Sequence, residues 1–220
     1  MPVTVLFTWR LGGLDECIIM LVLTWMYNDL GGANENYFLR NILNALGFMC
    51  YSSGSTTVAA GYGIWDRNER SHIWLAIIGA IVFSTLQIQD MPDMKGDLAR
   101  GRRTLPLVHG QRIARVSIAL PVLFWSFVCP FYWELNLWAY ALPVVLGSTL
   151  AGRVLLLTTT HADRLTWKLW CIWVMALLYD LSKVYAGHPE VDNPRNGEAH
   201  QELLFRCHNF GKLFSTIRNI

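Results

Sequence analysis

The chain has 220 residues, 53% of them apolar and only 15% charged, with ten Trp, eight Tyr and ten Phe. Soluble domains are roughly a quarter charged. The apolar residues here fall in uncharged runs near the about 20 helical residues that cross about 30 Å of hydrocarbon, so the composition is that of an integral membrane protein and argues against a soluble enzyme. A formal charge of +2, its carriers scattered between apolar runs, excludes nucleic acid as a partner.

In chain order, MPVTVLFTWRLGGLDE lacks the basic n-region and small-residue cleavage site of a signal peptide, so the first spanning helix is expected to direct insertion. Six stretches read as candidate spans. The first, Leu11 to Tyr27, is broken by Asp15 and Glu16, which leave a core of eleven residues, Cys17 to Tyr27, and predict a tilted or partly interfacial helix. The second runs from Asn41 to Trp65, between Arg40 and Asp66, and the third from Ile73 to Gln89, ending directly in Asp90. Within the second, Gly47, Gly54 and Gly61 recur every seven residues, a spacing that stacks them on one face and predicts the close approach of another backbone. Asn41 and Asn44 in the same helix need a partner, either another helix or a polar ligand, because an unbonded amide in hydrocarbon is costly.

The fourth span, Val116 to Trp133, and the fifth, Leu135 to Gly152, are separated by little more than Glu134, which predicts a tight helical hairpin. Pro121, Pro130 and Pro143 should kink these helices, as membranes tolerate where neighbours re-satisfy the freed carbonyls. The sixth, around Leu165 to Tyr185, has an apolar centre from Leu169 to Tyr179 between Lys168 and Asp180. Residues 1–185 thus read as a transmembrane domain and 186–220 as a polar tail, in which His200, Cys207 and His208 do not match a metal-ligand spacing. The five cysteines, Cys17, Cys50, Cys129, Cys171 and Cys207, lie far apart and are expected as free thiols. If the spans alternate, one side holds Arg40, the Lys and Arg between Asp90 and Arg115, and Arg153, Arg164 and Lys168. The positive-inside rule then places the Asp90 to Arg115 loop in the cytosol.

That loop carries the chemistry. In QIQDMPDMKGDLARGRRTLP, residues 87 to 106, the carboxylates of Asp90, Asp93 and Asp97 stand at i, i+3 and i+7, offsets that on one helix bring them to nearly one face. Three such groups repel each other unless a hard divalent cation fills the cluster, and Mg²⁺ there keeps water and takes phosphate oxygens as further ligands. Lys95, Arg100, Arg102 and Arg103 supply cations for a diphosphate. Gly96, Gly101 and Pro106 punctuate the stretch, which argues for a shaped loop over a merely solvated one.

DMPDMKGDLARGRRTLP resembles the second aspartate-rich motif of the UbiA superfamily of intramembrane prenyltransferases, D-x-x-D-x-x-x-D followed by a Gly-Arg and a Thr-Leu-Pro-like turn. YNDLGG at 27–32, RNILNALGF at 40–48 and the stretch 161–173 resemble segments of fungal members. The likeness covers most of residues 20 to 180. It implies a helical bundle with a central cavity, in which aspartate-bound Mg²⁺ holds an isoprenoid diphosphate. By that resemblance Asp90, Asp93 and Asp97 are the metal-binding and catalytic residues, with Arg102 a diphosphate contact; Lys95 and Arg103, by their charge, and Asn41 and Asn44, as amides in need of a partner, are the further candidates for binding the substrate. Lys95 stands where many relatives have an acidic residue. The fold class expected is an all-α integral membrane bundle of about six transmembrane helices, each built on a run of roughly 20 residues, a shortened version of the family's nine-helix bundle. The earlier N-x-x-x-D-x-x-x-D motif of the family is not found, and NDLGGANEN at 28–36 has its residue types at another spacing. The expectation is a chain shortened at its beginning, either by omission from the reading frame or as a remnant that needs another half or has lost activity.

The reaction implied is ionisation of an isoprenoid diphosphate, farnesyl or geranylgeranyl, to an allylic cation that must be kept from water. Twenty-eight aromatic residues, among them Trp74, Phe83, Trp125, Phe127, Tyr132, Trp133, Trp138, Tyr140, Trp170 and Trp173, are available for cation–π contact. The spans carry few polar groups that could bind a phenol or quinone precursor. That favours cyclisation to a terpene skeleton over prenyl transfer to an aromatic acceptor, with an endomembrane such as the endoplasmic reticulum as the site. A non-catalytic membrane protein or transporter half is the reading from another class.

Overall fold

The computed structural model describes residues 2–60 and 69–187, and among these every regular element is helical. A short α1 (Pro2–Arg10) and the Gly12–Gly13 turn lead into α2 (Leu14–Asn28), and Gly31, in the left-handed region at φ 75°, opens α3 (Gly32–Glu35). Then come α4 (Tyr37–Ala60), α5 (Glu69–Thr85), a 3-10 turn (Leu86–Asp90), α6 (Met94–Ala99), α7 (Leu105–His109) and α8 (Gln111–Tyr132). A second 3-10 turn (Leu137–Tyr140), α9 (Ala141–Leu156) and α10 (Thr160–Gly187) complete the order. Each long helix packs on the next, and α10 returns against α8 and the first 3-10 turn. Val82, Ile118, Val122, Leu150, Val154 and Trp173 form the fully enclosed centre.

Glu69–Asp90, Gln111–Tyr132 and Leu137–Leu156 are long and apolar enough to cross a membrane, matching the third, fourth and fifth predicted spans. The other three predicted stretches also fold as helices, but do not reach that standard among the described residues. The fifteen residues of α2 are short for the crossing, at about 1.5 Å per residue. Asn, Ser and Thr dilute α4, and Asp163, Arg164 and Lys168 open α10. Glu16, which shortens the first span in the sequence, is buried in the bundle, where Ser53 and Thr57 of α4 donate to its Oε1 at 2.9 and 2.7 Å. α2 approaches α4 closely at Gly54, whose added Cβ would lie 3.4 Å from that of Glu16, as the glycine spacing predicts; Gly61 lies outside the described residues.

α8 and α9 form the expected hairpin, with Glu134 at φ 53°, but the link is longer than a turn at Glu134: α8 ends at Tyr132 and a 3-10 turn over Leu137–Tyr140 precedes α9. Pro121 and Pro130 lie inside a continuous α8, and Pro143 sits in the first turn of α9, where a missing N–H leaves no helix bond unmade. Pro121 frees the carbonyl four residues back, and Gln87 Nε2 donates to that Ser117 oxygen at 3.2 Å. Cys17, Cys50, Cys129 and Cys171 are free thiols; Cys207 and the tail expected over 186–220, with His200 and His208, lie outside the described residues but for its first two positions.

The basic residues gather at one end of the bundle. There Arg115 at the start of α8 donates to Val154 O and Leu157 O at the end of α9, at 2.7 and 3.1 Å, and forks onto Asp163 of α10 at 3.0 and 2.9 Å. Arg153 Nε reaches Thr166 Oγ1 at 3.3 Å. At the other end Arg70 pairs with Glu134 at 2.9 Å and lies over the rings of Tyr132 and Trp133.

Candidate active site

The aspartate motif lies at the basic end, but not on one helix. α5 tightens into the 3-10 turn that ends at Asp90, the chain turns through residues 91–93, and α6 begins at Met94. Pro92 has no N–H for an unbroken α-helix through this point. The break replaces the expected single face by two directions. Asp90 and Asp97 turn inward and are 2% and 1% exposed, close enough for their charges to interact. Asp93 stays out, 55% exposed and 3.8 Å from Arg100, with its carboxylate folded over Gly96 where any Cβ would collide. The one-face arrangement of three carboxylates is thus corrected to a buried pair with a third group at the mouth. Among the described residues no three His, Cys, Asp or Glu side chains are grouped closely enough to hold a metal ion unaided.

Each buried carboxylate meets an arginine. Arg40, at the start of α4 and itself 6% exposed, pairs with Asp90 Oδ1 at 2.7 Å, and its Nε donates to the Tyr27 hydroxyl of α2 at 3.4 Å. Burial acts against the Arg40 cation, but Asp90, Tyr27 and Asp97 outweigh it, and its pKa stands above the ordinary arginine value. Arg102 donates through Nη1 to Asp97 Oδ1 and through Nε to Asn34 Oδ1, both at 3.1 Å. Asp97 Oδ2 is buried and, among the described residues, accepts no hydrogen bond. Lys95, Arg100 and Arg103 are exposed around this pair.

Of Asn41 and Asn44, expected as ligand contacts, Asn41 spends its amide N–H groups on the protein, while Asn44 makes one such bond and borders a groove. Asn41 Nδ2 donates to Gln87 Oε1 at 3.1 Å and to Phe83 O at 3.2 Å, and Asn44 Nδ2 to Arg40 O at 2.8 Å. Since Gln87 in turn bonds Ser117, a polar ladder ties α4, the 3-10 turn and α8 directly beneath Asp90. Beside it a groove of about 400 Å³ opens between α2 and α4, lined by Met20, Leu23, Leu43 and Phe48 and bordered at the polar end by Tyr27, Asn28 and Asn44. It lies to one side of the carboxylates, against α2, and none of them lines it.

Most of the indoles serve the packing. Trp125, Trp170 and Trp173 donate to Ser84, Thr85 and Ser126 at 3.0, 3.0 and 2.9 Å, while Trp74 and Trp133 lie with Tyr132 at the far end of the bundle, and Trp138 is exposed. The residues that sequence reasoning missed are Arg40, Tyr27, Asn34 and Gln87. The available signal was a lone arginine directly before an uncharged run, since a cation at a hydrocarbon boundary needs an anion, and the nearest anion by helix antiparallelism is Asp90.

Residues 16–179 match the UbiA prenyltransferase family. The somaliensene A/B synthase of Streptomyces somaliensis is 28% identical over 176 residues, covering 74% of this chain and 55% of the relative. The fumagillin beta-trans-bergamotene synthase of Aspergillus fumigatus is 34% identical over 101 residues, 46% of this chain and 34% of the relative. The digeranylgeranylglyceryl phosphate synthase of Natronomonas pharaonis is 27% identical over 132 residues, 60% and 47% of the two chains. The chain spans about half the length, or less, of these curated relatives. No solved structure matches.

Proposed function

Because the chain belongs to the UbiA prenyltransferase family, we propose that it is a membrane enzyme that ionises an isoprenoid diphosphate with Mg²⁺ and cyclises the resulting cation to a terpene skeleton. The observation that carries this reading is the buried pair Asp90 and Asp97 at the basic end of an apolar bundle, with one carboxylate oxygen left over. The donor set fits the ion: Mg²⁺ takes one or two carboxylates plus phosphate oxygens and water instead of a full protein cage. Asp97 Oδ2 and Asp90 would hold it, with Asp93 at the mouth. When bound, Mg²⁺ would offset the charge of the departing diphosphate.

The rest is the work of the chain's own side chains. Lys95, Arg100, Arg102 and Arg103 attract the diphosphate by charge and, for the arginines, by paired donors. The polar ladder through Asn41, Gln87 and Ser117 fixes the backbone from which Asp90 projects. The apolar groove between α2 and α4 gives the hydrocarbon tail a dry place beside that rim, where an allylic cation outlasts its encounter with water. The cytosolic side is assigned to this end by its basic residues, under the positive-inside rule.

Cyclisation is favoured by two relatives named as synthases of somaliensene and of beta-trans-bergamotene and by Asn41, whose amide N–H groups are committed to the protein. The prenyl-transfer reading keeps support from the phosphate synthase relative. Membranes holding the full chain, incubated with farnesyl or geranylgeranyl diphosphate and Mg²⁺, decide between them. A cyclic terpene confirms the cyclase, a prenylated product formed only with added acceptor establishes the transferase, and no diphosphate release in either case refutes the proposal.

A further inference from the structure

Asp90, Asp97, Arg40 and Arg102 form a cluster whose formal charges cancel, two negative against two positive. The two arginines have further partners outside the cluster. Tyr27 holds the Arg40 guanidinium, Asn44 holds its backbone carbonyl, and Asn34 holds Arg102. A divalent cation brought to this neutral cluster meets two resident cations as well as two carboxylates. It gains little while the Arg40 guanidinium sits on Asp90 at 2.7 Å. A diphosphate changes that balance, because its negative charge rewards guanidinia that turn away from the aspartates. Resting on the functional reading above, we propose that Arg40 and Arg102 are resident counter-ions that hold the aspartates closed to metal. In the proposal a diphosphate draws them off, so that metal and diphosphate bind as a coupled pair and neither binds well alone. Arg40 is in this account a positioning residue for the carboxylates.

Two features separate this from a purely structural ion pair. A structural arginine on a buried carboxylate leaves the anion satisfied, whereas Asp97 keeps a buried oxygen with no hydrogen-bond donor among the described residues. And the second arginine, Arg102, is partly exposed beside Asp97 and within a stretch of exposed basic residues, so it has somewhere to swing.

The test is Mn²⁺ retained with the detergent-solubilised full chain in equilibrium dialysis, with and without inorganic pyrophosphate; because pyrophosphate chelates Mn²⁺ in solution, only metal in excess on the protein side, at matched free Mn²⁺, is counted. Wild type is expected to bind Mn²⁺ weakly alone and about tenfold or more tightly with pyrophosphate, within the about 5- to 150-fold range usual for linked sites. Arg40→Gln takes the resident guanidinium off Asp90, so it should bind Mn²⁺ alone about tenfold more tightly and lose most of the pyrophosphate effect. Arg40→Lys keeps a cation against Asp90 and guards against misfolding of the first variant; it should give a smaller rise of the same sign. Helicity by circular dichroism checks that each is folded. If wild type binds Mn²⁺ with pyrophosphate but neither variant gains affinity for the metal alone, the counter-ion role is overturned and the metal site stands. If wild type takes up no Mn²⁺ even with pyrophosphate, the metal site and this inference fall together.

Discussion

Asp163→Ala is the sharpest probe of how the basic end is held together. The Arg115 and Asp163 side chains are 5% and 6% exposed, and Arg115 makes four hydrogen bonds that join α8, α9 and α10. Removing the carboxylate leaves a buried guanidinium bonded only to Val154 O and Leu157 O. Breaking one partner of a buried pair costs about 3–5 kcal/mol. At roughly 2–4 °C per kcal/mol for a chain of 150–250 residues, that lowers the melting transition by about 6–20 °C. Arg115→Met with Asp163→Leu removes both charges, so it should recover part of the loss. Full recovery is not expected, because the buried Val154 carbonyl then lacks its donor, at about 1–3 kcal/mol. Circular dichroism melts in detergent read all three proteins, and 1 M salt should leave the difference unchanged because the pair is shielded from solvent. A shift under about 2 °C for Asp163→Ala, on that same scale, or a double variant that melts no higher than Asp163→Ala, would refute the reasoning.

The remaining expectations concern the site and its packing. Asp97→Asn should lower diphosphate release by about 100-fold or more, as loss of one pre-aimed electrostatic group does, and should also lower the melting temperature, since Arg102 loses its buried partner. Asp93→Ala should cut turnover strongly while leaving the melting temperature within about 2 °C, because its contact with Arg100 is exposed and such pairs are worth about 0–1 kcal/mol; a melt that moves with the activity would count against a role at the mouth. Gln87→Leu unpairs Ser117 O, freed by Pro121, and takes one acceptor from Asn41, so it should destabilise by about 1–3 kcal/mol in a denaturant or thermal titration. Gly147→Ala places a methyl against Ser126 Oγ and the Trp173 indole nitrogen that bonds it. Overpacking of that kind costs about 1–3 kcal/mol, visible as a lower melting temperature with a changed tryptophan emission.

What could be read from the chain alone is what depends on composition and short-range order. Uncharged runs over 73–89, 116–133 and 135–152 become the three helices that, among the described residues, are long and apolar enough to span, since burying the backbone in lipid leaves helix as the available solution. Glu134 between two such runs dictates a hairpin, and the glycine spacing in α4 marks where α2 comes close. The motif itself could be picked out without the fold, because three aspartates among bases stand out at a hydrocarbon boundary. The direction of each aspartate was a different matter. Pro92 and the 3-10 turn send Asp93 outward while its neighbours at 90 and 97 go in, and periodicity assumes an unbroken helix. Glu16 looked like a defect in a span until Ser53 and Thr57 arrived from α4 to bond it. Arg40 looked like a boundary charge until antiparallel packing set it on Asp90. A one-dimensional pattern reports what a residue is and how often its type recurs. Which opposite charge or donor meets it across 40 or 50 residues is decided only when the helices close, since the buried groups must find partners within the bundle.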